Sequence, residues 1–204
     1  MAALPHELIG PLFRDARDML LLTWTGFRAP SVSALDMAAA LGREIHKAEK
    51  ELTERLLAEP PDNPALRFVP GHIERIGDAI DGLIRCSRGM MVEGTTFTSA
   101  GAREVNMLFE RTAELLECAG DLALTGNRVL ARHVELESMR FEDLAGVYAR
   151  AHEQRLVEGE CRPAAQSAYL AMLDYLREVT RHARLIATRI TPRSSPGEAP
   201  TAHI

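Results

Sequence analysis

The 204-residue chain is 46% hydrophobic, enough for a continuous core, while its 5% aromatic share beside abundant Leu, Ala, Glu and Arg favours helices over sheets. A formal charge of -5 argues against a nucleic-acid module, which needs clustered Lys and Arg to neutralise phosphates; Arg177, Arg181, Arg184 and Arg189 gather near the C-terminus but are offset by acids elsewhere. Cys86, Cys118 and Cys161 lie too far apart for a zinc knuckle or disulfide scaffold, which suits a reducing cytoplasm.

Six stretches then carry apolar residues at alternating three- and four-residue steps, the period that lines one side of a helix. Phe13, Ala16, Leu20, Thr23 and Phe27 predict the first helix, entered at Pro11 and closed before Pro30. Leu41, Ile45, Ala48 and Leu52 predict the second, with Ser33 and Asp36 spaced as a capping box at its start. The run Pro60-Pro61-Asp62-Asn63-Pro64 ends it.

Ile73, Ile76, Ile80 and Leu83 predict a third helix, followed by a loop around Gly94-Thr95-Thr96-Phe97-Thr98. A fourth, on Val105, Leu108, Thr112, Leu115, Ala119 and Leu122, stops at Gly126-Asn127, where Gly can turn left-handed and Asn can cap the next helix. Leu130, Val134, Phe141, Leu144 and Tyr148 mark the fifth helix, and Tyr169, Leu173, Leu176, Ala183, Ala187 and Ile190 the sixth.

Seams of this period pack helices at shallow angles, so the expected fold is all-α, two tandem three-helix bundles. The expected boundaries are an N-terminal segment over 1–10, a first repeat over 11–94, a second over 95–190 and a disordered tail over 191–204, rich in Pro, Ser and Gly. The longest apolar runs, such as Met19 to Leu22, fall far short of the roughly 20 residues that span a bilayer. Met1-Ala2-Ala3-Leu4-Pro5 also lacks the charged start of a signal peptide. No direct membrane insertion is expected.

The segment His72-Ile73-Glu74-Arg75-Ile76-Gly77-Asp78-Ala79 resembles the motif on the third helix of a PhoU repeat. The equivalent place in the second half, Leu176 to Ala183, keeps the helix pattern but carries Arg177 and Arg181 where the motif has acids. Leu124-Thr125-Gly126-Asn127, Tyr148-Ala149-Arg150-Ala151-His152, Arg155-Leu156-Val157-Glu158-Gly159 and Ser167-Ala168-Tyr169-Leu170 are similar to the PhoU-like cytosolic region of bacterial sodium/phosphate cotransporters. That resemblance implies a six-helix PhoU-like architecture, either free-standing or a soluble piece of a larger protein. It further implies a non-enzymatic role in phosphate uptake or signalling, with a phosphate transporter or its sensor kinase as partner. The expected place is the cytoplasm, peripheral to the inner membrane through that partner, and a homodimer is a further expectation.

Glu74 and Asp78 are four residues apart and Asp81 follows one turn on, so all three share a helical face on which carboxylates can hold a cation. PhoU proteins bind metal clusters through such pairs, so the resemblance implies iron or zinc at Glu74, Asp78 and Asp81, with Glu44 or Glu49 available from the second helix. The bland alternative is a solvated acidic face, since pairs such as Glu117 and Asp121 arise in an acid-rich chain without a motif. Arg177 and Arg181 would repel a cation and suit an anion or, more commonly, salt bridges.

Glu137 and Arg155 fall on seam positions of the fifth helix, which predicts partners for both on a neighbouring helix, with His152 and His182 in the same network. No Gly-rich phosphate loop, His-Glu-x-x-His or Gly-x-Ser-x-Gly motif is present, and the paired Glu-x-x-His of di-iron bundles is missing. Two other functions stay open on the sequence: a carboxylate-cluster metalloprotein with a storage, redox or hydrolytic role, and a structural dimerisation module.

Overall fold

Every apolar stripe read from the sequence becomes the inner side of an α-helix. The structure, a computed structural model, describes residues 5–191, with side chains from residue 8. Its elements are α1 (Pro5–Arg28), α2 (Val32–Ala58), a short 3₁₀ helix (Pro64–Phe68), α3 (Val69–Glu93), α4 (Ser99–Thr125), α5 (Arg128–Val157) and α6 (Pro163–Ile190), with no strand among the described residues. The tail expected after Thr191 lies outside them.

Two helix boundaries differ from expectation. α1 begins at Pro5 and carries Pro11 inside it, so residues 5–10 are helix and not a separate segment. The bond that Pro11 cannot make is to the carbonyl four residues back, still in the first turn, where its loss is cheapest. α2 is capped by Ser31, not Ser33: Ser31 has the extended backbone a cap requires, and its Oγ accepts from the Ala34 N–H at 3.2 Å. Ser33 is left exposed in the first turn, and Asp36 turns to Arg88 of α3 at 2.5 Å.

The other ends follow the sequence. Gly126 closes α4 with a φ of 63°, a conformation in which a Cβ would clash, and Asn127 then accepts from the Val129 N–H at 2.8 Å to open α5. Thr98 caps α4 in the same way through the Gly101 N–H at 3.1 Å. The unexpected 3₁₀ helix is held by Asn63, whose Oδ1 accepts from the Ala65 N–H while its Nδ2 donates to the Arg189 carbonyl at 2.8 Å. The α2–α3 connection is thereby tied to the end of α6.

Within the first half α1, α2 and α3 pack on one another, and in the second half α4, α5 and α6 do the same. The halves are joined broadly by α1 on α4 and α3 on α6, so that one apolar cluster runs through both. Small residues set these crossings. A Cβ on Gly82 would lie 2.4 Å from the Tyr175 ring, and one on Gly120 would lie 3.2 Å from Phe13 Cβ. Ile73, Ile76, Ile80 and Leu83 of α3 are completely buried, each worth about 1.5–3 kcal/mol in burial. This stripe fixes which way the remaining α3 residues point.

Candidate functional site

With that stripe inward, Glu74 and Asp78 face solvent. Asp78 pairs with Arg75 at 3.7 Å on the same helix. Asp81 is half-buried against α2, its Oδ1 lying 3.5 Å from the place a Cβ would take on Gly42. Burial pushes its carboxyl above the usual range, opposed chiefly by Arg85 and reinforced by Asp78. The suggested helpers from α2 do not join them: Glu44 is exposed, and the buried Glu49 accepts from the Thr53 hydroxyl at 2.9 Å. Among the described residues no three His, Cys, Asp or Glu side chains come together as a metal group. Glu74 and Asp78 thus stand on the open side of α3 while Asp81 turns toward α2.

The corresponding stretch of α6 is already neutralised. Arg177 lies 3.1 Å from Asp174 and 3.5 Å from Glu142 of α5, and Arg181 lies 2.5 Å from Glu178, which is held below the usual carboxylate range mainly by that bond. These groups line a cleft of about 670 Å³ between α5 and α6 in which both signs of charge alternate. The two arginines make salt bridges, as the commoner reading of them has it.

The seam charges of α5 do find partners. Arg155 grips Glu104 of α4 with two hydrogen bonds of 2.9 and 2.5 Å, and both side chains are only 14% exposed. The Tyr169 hydroxyl of α6 donates to the same carboxylate at 2.5 Å, and His152 stacks on the Tyr169 ring with centroids 4.0 Å apart. Burial and then the neighbouring Arg155 lower the His152 pKa, with Glu104 and Glu153 opposing, and its Nδ1 lies 3.9 Å from Cys161 Sγ. Glu137 is more open, 24% exposed, and bonds chiefly to Arg140 of its own helix, with Arg111 of α4 at 4.0 Å.

His182 belongs to a different site from His152. Its Nδ1 meets Nδ1 of His72 across the α3–α6 contact at 2.8 Å, one ring donating and the other accepting, while Nε2 faces Glu178 at 3.3 Å. Sequence reading missed Glu104 and His72. Glu104 lies one turn before Leu108 at the margin of the α4 seam, a signal visible only once Arg155 is known to face it.

No family model matches the sequence, and no curated protein matches it either. Solved structures do. PhoU from Pseudomonas aeruginosa superposes with a TM-score of 0.71 at 19% identity, covering 91% of this chain and 90% of that one. The chain has the PhoU fold. A PhoU-like phosphate regulatory protein from Shewanella oneidensis MR-1 matches with a TM-score of 0.66 at 14% identity, covering 94% and 96% of the two chains. A second PhoU-like protein from the same organism gives 0.64 at 14%, over 92% and 97%. On this PhoU frame the acids of α3 stand on an open face and the arginines of α6 on a salt-bridged one. The shared feature is thus the scaffold.

Proposed function

We propose that this chain is a non-catalytic regulator of phosphate uptake or phosphate signalling, acting in the cytoplasm by docking on a transporter or its sensor kinase. The observation that carries the reading is the superposition on PhoU and PhoU-like phosphate regulatory proteins over nine tenths or more of both chains. No helix among the described residues is long and apolar enough to cross a membrane, so contact with a transporter would be peripheral.

The surface best suited to docking is the outer face of α5. Leu136, Met139 and Val147 lie 37%, 51% and 50% exposed at spacings that place them on one side of the helix, beside the alternating charges of the α5–α6 cleft. Such a mixture of open apolar and paired polar groups suits a reversible contact. The same face would serve a homodimer.

The test is deletion of the gene, read by phosphate uptake and by a phosphate-responsive reporter. Loss of normal repression in high phosphate, restored by the wild-type chain and not by a folded Leu136→Glu, Met139→Glu variant, is the expected result. Unchanged uptake and reporter output after deletion would refute a phosphate role; full rescue by the variant would move the docking face elsewhere. Light scattering of both proteins would distinguish a partner surface from a dimer surface.

A further inference from the structure

At the end of the bundle, α1, α3, the 94–98 connection and α4 leave a cavity of about 520 Å³ that none of the preceding argument uses. Its size falls within the roughly 300–1,000 Å³ of small-molecule sites. Phe27, Met90, Met91 and Phe97 supply an apolar lining. The wall behind them is ordered by aromatic contacts: Trp24 stacks on Phe109 at 6.1 Å, and Phe27 meets both Phe109 and Phe97 at 5.8 Å.

Besides the hydroxyls of Ser87, Thr95 and Thr96, the lining holds two nitrogen-bearing side chains with unused donor capacity, Asn106 and Arg28. Asn106 accepts from the Trp24 indole N–H at 2.6 Å, and because an indole can only donate, this bond fixes which end of the carboxamide is oxygen. Its Nδ2 is left as a donor without a partner among the described residues. Arg28 lies over the Trp24 ring at 5.2 Å and makes no ion pair among the described residues. An apolar chamber with a free amide donor inside it and the solvent-exposed Arg28 guanidinium beside it disfavours a cation and favours a ligand with an acidic head.

We infer that the cavity bounded by Phe27, Met90, Met91, Phe97, Asn106 and Arg28 is a binding site for a small anionic amphiphile, with its apolar body in the chamber and its acidic head toward Asn106 and Arg28. A medium-chain carboxylate has this chemistry. The site lies away from the α5 face and does not depend on the phosphate reading.

Trp24 is the chain's single tryptophan, so its fluorescence reports directly on the wall of the cavity. Wild-type protein titrated with decanoate below its micelle concentration should show a saturable change in emission. Decanol should bind more weakly and acetate not at all. Asn106→Asp keeps the oxygen that Trp24 needs and puts negative charge in place of the free donor. It should weaken decanoate by about tenfold or more while leaving decanol within about twofold. Arg28→Gln should act in the same direction. Ala102→Phe, which fills the chamber from α4, should abolish both ligands while helical circular dichroism is retained. If that variant fails to fold, the two charge variants still decide. The inference is overturned if decanoate gives no saturable signal with folded wild type, if decanol binds as well as decanoate, or if the charge variants bind decanoate unchanged.

Discussion

Replacing Glu104 by Gln removes one negative charge from the Glu104–Arg155–Tyr169 cluster while preserving its shape. In the wild type the carboxylate accepts two bonds from Arg155 and one from Tyr169, and with 14% exposure on each side little solvent is available to replace them. The amide retains one acceptor oxygen but turns an NH₂ toward donors, so the guanidinium is left without its counter-charge. Breaking a buried pair from one side costs about 3–5 kcal/mol; residual exposure and the surviving acceptor bring the expectation to about 2–4 kcal/mol. For a helical chain of this size that is a fall in Tm of roughly 5–12 °C. Arg155→Met should cost less, because Glu104 keeps Tyr169 and can reach water more easily than a trapped cation. The double variant should be no worse than Glu104→Gln alone, since removing both charges also removes their desolvation. Urea unfolding of the four proteins closes the cycle, and a coupling of at least about 1.5 kcal/mol is expected. Additive single effects, or a loss under about 1 kcal/mol for Glu104→Gln, would show the cluster to be solvent-screened and the argument wrong.

Glu137→Ala should destabilise by only about 0.5–1 kcal/mol, less than a buried seam acid would, because its main partner is the exposed Arg140 on the same helix; thermal unfolding checks this. The His72–His182 pair predicts acid sensitivity. His72 is pushed down to about 4 by burial, then by Arg189, His182 and Arg181, and His182 is lowered by burial and then Arg181, with Glu178 opposing and Arg75 adding to the effect. The unfolded histidines take up protons near 6.5 while the folded pair does not, so the pair's contribution is complete above that pH and is lost as pH falls from about 6.5 toward 4. After discounting for solvent screening, the loss should be about 1–2 kcal/mol. Urea midpoints at pH 7 and pH 5 for wild type and for His72→Gln, His182→Gln measure it, and an acid dependence unchanged by removing both rings would clear the pair. Reconstitution with iron, zinc, manganese or magnesium should give no stoichiometric uptake at α3, since among the described residues no three His, Cys, Asp or Glu side chains converge there. Uptake lost on Glu74→Gln plus Asp78→Asn and kept in Arg177 or Arg181 variants would reverse that expectation.

Helix identity was legible because each seam repeats over several turns, and a repeated error in period would have placed Ile73, Ile76, Ile80 and Leu83 on different sides of α3. Single-residue events were less legible. Pro11 reads as a helix start, yet a proline in the second turn disturbs only a carbonyl close to the helix end, so apolar packing of Ile9 and Leu12 carries α1 past it. Ser31 and Ser33 are both good caps by composition, and only the extended backbone after Pro30 decides between them. Arg155 announced a missing partner by occupying a seam position. Its partner could not be named from sequence, because pairing across helices depends on the relative rotation and height of α4 and α5, which the period of neither helix contains.

The same limit explains why spacing alone misleads about the acidic face of α3. An i, i+4 pair guarantees that two carboxylates share a side, but a hard cation needs several oxygens to converge from different elements. Here the stripe of Ile73, Ile76, Ile80 and Leu83 rotates Glu74 and Asp78 outward, Arg75 lies beside Asp78, and Asp81 is turned toward Gly42 of α2. On α6 the inverse holds, with Arg177 and Arg181 each placed next to carboxylates of α5 or of α6 itself. The α6 face is therefore locally compensated, whereas of the three α3 acids only Asp78 has an ion-pair partner among the described residues. A surface of alternating, mutually oriented charges carries more information for a protein partner than for an ion, since a partner can match the whole pattern at once. That is the physical ground on which the α6 face suits the docking role proposed above.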